Sequence, residues 1–126
     1  MDRKHLADRD GELFEVVMMQ NFEMFIGDTF SFGVEIYGIS AIDTAYLTVK
    51  KDLDSTEHLL QKTLGDGIWS DEEGNDYVRY GVRIAPEDTT NAEEGNYFYD
   101  LQIGVDGDVF TILDGVLTLK QGATIA

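Results

Sequence analysis

Apolar and polar residues alternate with a period of two, not 3.6, over most of the chain, the signature of strands with one buried face. Residues 29–37 set Phe30, Phe32, Val34 and Ile36 on one face and Ser31, Gly33 and Glu35 on the other, and residues 45–50 alternate in the same way. Val78, Tyr80, Val82 and Ile84 oppose Tyr77, Arg79, Gly81 and Arg83. Tyr97, Tyr99, Leu101 and Ile103 oppose Phe98, Asp100 and Gln102. Residues 109–113 and 116–120 read as two further strands, and 14–19 and 22–26 as two more. Over 53–64 a helix competes, but Asp52, Asp54, Ser55 and Thr56 suit a turn, so a loop and then a short strand around 59–63 are predicted. Asp106-Gly107 is a tight hairpin signal, and Asp66-Gly67 and Glu73-Gly74-Asn75-Asp76 mark other reversals. Seven to eight short strands with few helices predict an all-β antiparallel sandwich or barrel.

With 126 residues the chain fits one domain. Residues 1–13 alternate charges around Asp8-Arg9-Asp10-Gly11 and read as a flexible leader, leaving 14–126 as a single β-sandwich domain. Within it, a turn rich in Asp, Thr and Gly (residues 88–96) runs into a strand with Tyr at alternate positions. That is the layout of a tyrosine corner in immunoglobulin-like Greek-key sandwiches. Tyr97 would be the corner residue, Tyr99 would point into the core, and Asp88 would belong to the turn.

Charge narrows the function classes. Asp and Glu number 25 against 9 Lys and Arg, a formal net charge of −16. No basic stripe can neutralise phosphates, so no nucleic-acid partner is expected, and an anionic membrane surface would repel the chain. At this acidity a chain poor in apolar residues would be disordered, but 43% of this one is hydrophobic. The start of the chain lacks an apolar signal-peptide region, and synthesis and folding in a cytoplasm are expected. The absence of Cys removes disulfides, thiolate metal sites and Cys nucleophiles.

The remaining chemistry is thin. Residues 66–114 hold 13 acids and two bases, but Asp71-Glu72-Glu73-Gly74-Asn75-Asp76 lacks the ligand spacing of a calcium loop. These acids read as the solvated dressing of loops and strand ends. His5 and His58 have no spaced partners for a triad or a zinc site. No catalytic, metal or cofactor-binding residue is assigned, no cofactor is expected, and the chain reads as a non-enzyme. Trp69 reads as a core plug, with an exposed interface anchor as the alternative. Phe22, Met24 and Phe25 make an unusually apolar strand, core first and subunit contact second. Alternation puts Tyr37, Tyr46 and Tyr77 on polar faces, and Arg79 and Arg83 share a face from which they could pair with acids across the sheet.

Several segments together resemble a known family. Gly27-Asp28-Thr29-Phe30-Ser31-Phe32 is similar to its opening GDTF-x-F, and Ala45-Tyr46-Leu47-Thr48-Val49-Lys50-Lys51-Asp52-Leu53-Asp54 to its TVKK strand and turn. Leu60-Gln61-Lys62-Thr63-Leu64-Gly65-Asp66-Gly67-Ile68, Arg83-Ile84-Ala85-Pro86-Glu87-Asp88-Thr89, Gly95-Asn96-Tyr97-Phe98-Tyr99-Asp100-Leu101-Gln102 and Phe110-Thr111-Ile112-Leu113-Asp114-Gly115-Val116-Leu117-Thr118-Leu119 follow in matching order. The set, spanning about residues 20–126, resembles the N-terminal domain of the phage baseplate upper protein family, found also as short prophage proteins. The resemblance implies an immunoglobulin-like sandwich used in virion assembly, with no catalytic residues. The chain departs from the pattern by its leader and by the lack of a fibre or receptor-binding region after Ala126. An accessory or adaptor piece of a tail, baseplate or capsid is therefore expected.

Two functions follow as expectations. The first is a phage or prophage structural module in the virion, made in a bacterial cytoplasm. It would dock on other virion proteins and on copies of itself, with its acidity steering it toward basic partners. The second is a carbohydrate-binding sandwich whose Tyr37, Tyr46, Tyr77 and Trp69 stack on sugar. Three or more of these aromatics on one exposed concave face would favour the second. Scattered aromatics together with self-association would favour the first.

Overall fold

The computed structural model describes residues 2–7, 13–18 and 21–124, with side chains from residue 21 to 124. The chain is all-β apart from one four-residue helix. In chain order, β3 (Phe22–Phe25) leads into β4 (Phe30–Tyr37), β5 (Thr44–Lys50), β6 (Leu60–Leu64), β7 (Gly67–Gly74) and β8 (Tyr77–Ile84). Helix α1 (Pro86–Thr89) then precedes β9 (Gly95–Val105) and β10 (Asp108–Lys120). Their spatial order is β4-β8-β7-β6-β5-β9-β10-β3. β3 runs parallel to β10, β6 and β7 are parallel over two residue pairs, and the other pairs are antiparallel. The result is an eight-stranded mixed sheet nearly closed into a barrel.

The closure has a side-chain cause. β3 and β4 are the two ends of this sheet, and Phe22 on β3 stacks on Phe32 of β4 at 4.6 Å and meets Phe30 edge-on at 5.6 Å. Rings close the seam where backbone pairing does not. Gly27, in the β3–β4 turn, donates its N–H to Oγ1 of Thr89, a fully buried polar side chain at the end of α1. That bond ties the seam to the β8–β9 connection.

The expected alternation is present. Val78, Val82, Leu101 and Ile103 are buried, as are Val34, Ile36, Leu47 and Val49. The Asp106-Gly107 hairpin turns with positive φ at both residues (51° and 85°), the geometry that matches strand twist. Three local expectations need correction. First, the two short strands over 109–113 and 116–120 are one strand, β10, with a bulge between Thr111 and Leu113. The extra residue breaks the period of two and turns both Ile112 and Leu113 fully inward. Second, Asp66-Gly67, expected to reverse the chain, turns a corner instead. Thr63 and Asp66 exchange backbone hydrogen bonds there, and the chain passes from β6 into a parallel neighbour, β7. Third, the acids of residues 71–73 lie on strand β7 and not in a loop. Beyond Ile68, β7 pairs with β8 on one side alone, so their carboxylates face water.

At the other end, residues read as leader contribute β1 (Asp2–Ala7), antiparallel to β2 (Leu13–Met18). β2 adds onto β4 through Glu15–Tyr37, Val16–Ile36 and Val17–Glu35, extending the sheet to ten strands. Residues 8–12 of the expected leader lie outside the described residues. No helix among the described residues is long and apolar enough to cross a membrane.

Candidate functional site

The outward face of β4–β8–β7 carries the residues best suited to recognition. Strand register builds it in rows. Gly33, Gly81 and Trp69 form one row, Glu35 and Arg79 the next, and Tyr37 and Tyr77 the third. Ile68 points inward (1% exposed), so parity forces Trp69 outward, where it is 43% exposed. This corrects the core reading of Trp69. The neighbouring glycines explain how the ring is held. A Cβ on Gly81 would run into the six-membered ring of Trp69, so the indole rests on bare backbone. A Cβ on Gly33 would lie 2.7 Å from the Arg79 guanidinium, which lies over that glycine. Neither glycine has positive φ, so both serve close approach rather than a turn.

Arg79 is fixed by two carboxylates, Asp71 at 2.9 Å and Glu35 at 3.5 Å. Surface pairs of this kind contribute little to stability, but here they hold the guanidinium over Gly33, in the row that carries Trp69. Tyr37 and Tyr77 pack with ring centroids 4.9 Å apart. Three of the four aromatics singled out in the sequence therefore share one exposed face, and Arg79 with its partners stands between Trp69 and the tyrosine pair. Tyr46 lies elsewhere, on the outer face of β5. Phe25 is exposed, whereas Phe22 and Met24 are each 5% exposed and belong to the core. The short strand β3 thus offers one interface side chain of the three expected.

The tyrosine-corner residues separate. The Tyr97 hydroxyl donates to the Glu93 carbonyl at 2.8 Å, and Lys51 Nζ sits 4.6 Å over its ring. Tyr99 is buried with its ring 5.3 Å from that of Phe22, and burial, helped by Asp114, raises its phenol above the usual range. Asp88 serves elsewhere. It accepts from the Ala85 N–H at 2.7 Å at the start of α1 and pairs with Lys62 at 2.7 Å.

A second surface, which sequence reasoning missed, is a groove of about 450 Å³ on the outer face of β6–β5–β9. Tyr46 and Gln102 form one cross-strand pair in it, Thr48 and Asp100 the next, and His58 flanks them from the β5–β6 loop. Burial raises the Asp100 carboxyl above its ordinary range, Lys50 pulls it back, and Asp114, directly opposite on β10, pushes it up. As pH falls, the folded state takes up its proton first, so the cost of the buried charge is largest at high pH. Asp100→Asn is therefore expected to stabilise the fold by about 0.5 kcal/mol near neutral pH. The gain should shrink as pH falls through the raised folded value and vanish below the ordinary Asp value of about 3.9. Urea unfolding of both proteins at the two pH extremes checks this, and an equal difference at both would refute it.

Among the described residues no group of three His, Asp or Glu side chains could hold a metal ion. No family model and no curated protein matches the chain. Among solved structures, the chain is similar to part of a family 123 glycoside hydrolase from Clostridium perfringens, whose structural analysis concerns glycolipid glycan hydrolysis. The two share 11% identity with a TM-score of 0.46, over 80% of this chain and 23% of that one. The chain thus spans under a quarter of that protein's length, and a likeness this remote says nothing of what this chain does.

Proposed function

We propose that this chain is a non-enzymatic structural module of a phage or prophage particle, working by protein–protein docking in the tail or baseplate. The observation that carries the docking part is the Trp69–Arg79–Tyr37–Tyr77 face. Trp, Tyr and Arg are the residue types that dominate binding energy at interfaces, and bare backbone at Gly81 beneath the indole and at Gly33 beneath the guanidinium lets both groups lie close against the strands. Three aromatics on one face meet the count expected for sugar stacking, but the face is the outer wall of a nearly closed barrel rather than a concave surface, and the Arg79 ion pairs interrupt the strip, so that reading is the weaker one.

The strand order suits an immunoglobulin-like sandwich, with β3-β10-β9-β5-β6 as one layer, β4-β8-β7 as the other, and the β6–β7 corner as a crossing point. The Tyr97–Glu93 bond is the contact expected of a tyrosine corner. The family-like segments lie on elements with their adjoining turns: 27–32 at the entry to β4, 60–68 at the β6–β7 corner, 83–89 across the end of β8 and α1, and 95–102 at the start of β9.

The test has two parts. Mass spectrometry of purified particles from a host carrying the gene should find the chain as a stoichiometric component, and its absence from particles would overturn the virion role. Light scattering should detect self-association below about 1 mM, an affinity of roughly −4 kcal/mol. A strict monomer there would remove the homo-oligomer part. Because each copy carries −16, added salt should strengthen self-association and weaken binding to a basic partner.

A further inference from the structure

The groove on the outer face of β6–β5–β9 is built differently from the rest of the surface. The larger groove along the β3–β10 seam, about 590 Å³, has polar groups that satisfy one another: Asn21 Oδ1 accepts from Val116 N–H, and Thr118 donates to Asn96. In the β5 groove, Gln61 donates to Thr48 and Lys50 to the Ser55 carbonyl, whereas no hydrogen bond among the described residues engages the side chains of Tyr46, His58, Asp100 and Gln102. Asp100 also faces Asp114 across the β9–β10 ladder, an arrangement of like charges that costs stability. Folding does not require a carboxylate there, since a neutral polar residue would sit on the same half-buried strand at less cost.

The chemistry of the groove selects its ligand by elimination. An anion would meet Asp100 and Asp114. A cation would meet Lys50, which lies close enough to Asp100 to stabilise its charge. An apolar molecule would leave the carboxylate and amide unpaired. A neutral polyhydroxyl compound suits all of them: its hydroxyls donate to Asp100, both donate to and accept from Gln102, and its ring can lie on the Tyr46 face, which is 40% exposed. The volume lies within the range of about 300–1,000 Å³ common to small-ligand sites.

We propose that this groove is a saccharide-binding site, with Tyr46 as the stacking platform and Asp100 and Gln102 as the hydroxyl-recognising pair. It is separate from the β4–β8–β7 docking face and goes beyond the assembly role.

The test is an NMR titration of the full chain, ¹⁵N-labelled, with glucose, galactose, mannose, N-acetylglucosamine, lactose, cellobiose and chitobiose. At least one of these should give saturable shifts at the Tyr46, Thr48, Asp100 and Gln102 amides, with Kd in the millimolar range. Asp100→Asn and Tyr46→Ala, both at solvent-facing positions, should each weaken that Kd by roughly tenfold or more, while Trp69→Ala leaves it unchanged. The amide spectrum of each variant reports that it is folded. No saturable shift with any of the seven sugars would overturn the proposal. So would shifts undiminished in both groove variants, or saturation of these amides by ethylguanidinium with no response to sugar, which would mark the groove as a seat for a partner's basic side chain.

Discussion

Replacing Phe22 by alanine is expected to destabilise the domain by about 3–5 kcal/mol, a large share of the roughly 5–15 kcal/mol that holds a domain together. The melting temperature should fall by roughly 10–20 °C. The size follows from where the ring sits. Phe22 is 5% exposed on a four-residue strand whose backbone pairs with β10 alone among the described strands. Its ring meets Phe32 at 4.6 Å, Tyr99 at 5.3 Å and Phe30 at 5.6 Å, bridging the two ends of the eight-stranded sheet. Truncation removes apolar burial and opens a cavity at the β3–β4 seam, where no backbone ladder among the described residues can hold the gap shut. Phe25→Ala, on the same strand but 48% exposed, is the control and should change stability by no more than about 0.5 kcal/mol. Paired thermal and urea unfolding curves decide it. Equal costs for the two variants would mean that the seam is closed by something other than Phe22.

The strands of this protein were legible wherever a period of two ran unbroken. Val78, Tyr80, Val82 and Ile84 declare their face without help, and so do Tyr97, Tyr99, Leu101 and Ile103. What stayed hidden depends on neighbours distant in sequence. β7 was masked by Asp71, Glu72 and Glu73, because local composition argues for a loop and only the ladder to β8, with water on the other side, makes a strand of it. The bulge in β10 cannot be read from Thr111-Ile112-Leu113, since whether one or both apolar residues turn inward is decided by pairing with β9. Trp69 shows the same limit from another side. An indole next to isoleucine looks like core until Ile68 takes the inward position and Gly81, twelve residues on, supplies a vacant surface beneath the ring. The groove was invisible for that reason too: Asp100 acquires meaning only from Asp114, Tyr46 and Gln102, which register places beside it.

That placement of Trp69 gives the second large expectation. Gly81→Ala should weaken self-association about thirtyfold, equivalent to about 2 kcal/mol, without weakening the fold. The glycine has an ordinary strand backbone with no positive φ, so alanine fits the chain there and removes unfolded-state entropy. Its methyl group instead displaces the Trp69 ring, and tryptophan emission should change accordingly, since this is the sole Trp in the chain. Trp69→Ala should reduce association at least as much, by deleting the anchor. Gly33→Ala should do less, because the atom it meets is the far end of the flexible Arg79 side chain, at 2.7 Å. The ordering Trp69→Ala at or beyond Gly81→Ala, and both well beyond Gly33→Ala, is what a flat aromatic docking surface requires. Sedimentation equilibrium at high salt, where the repulsion between copies carrying −16 is screened, measures all three. If the Gly81 and Trp69 variants associate as tightly as the parent chain, contact between copies runs through another surface, and the open edges of β1 and β3 become the next place to look.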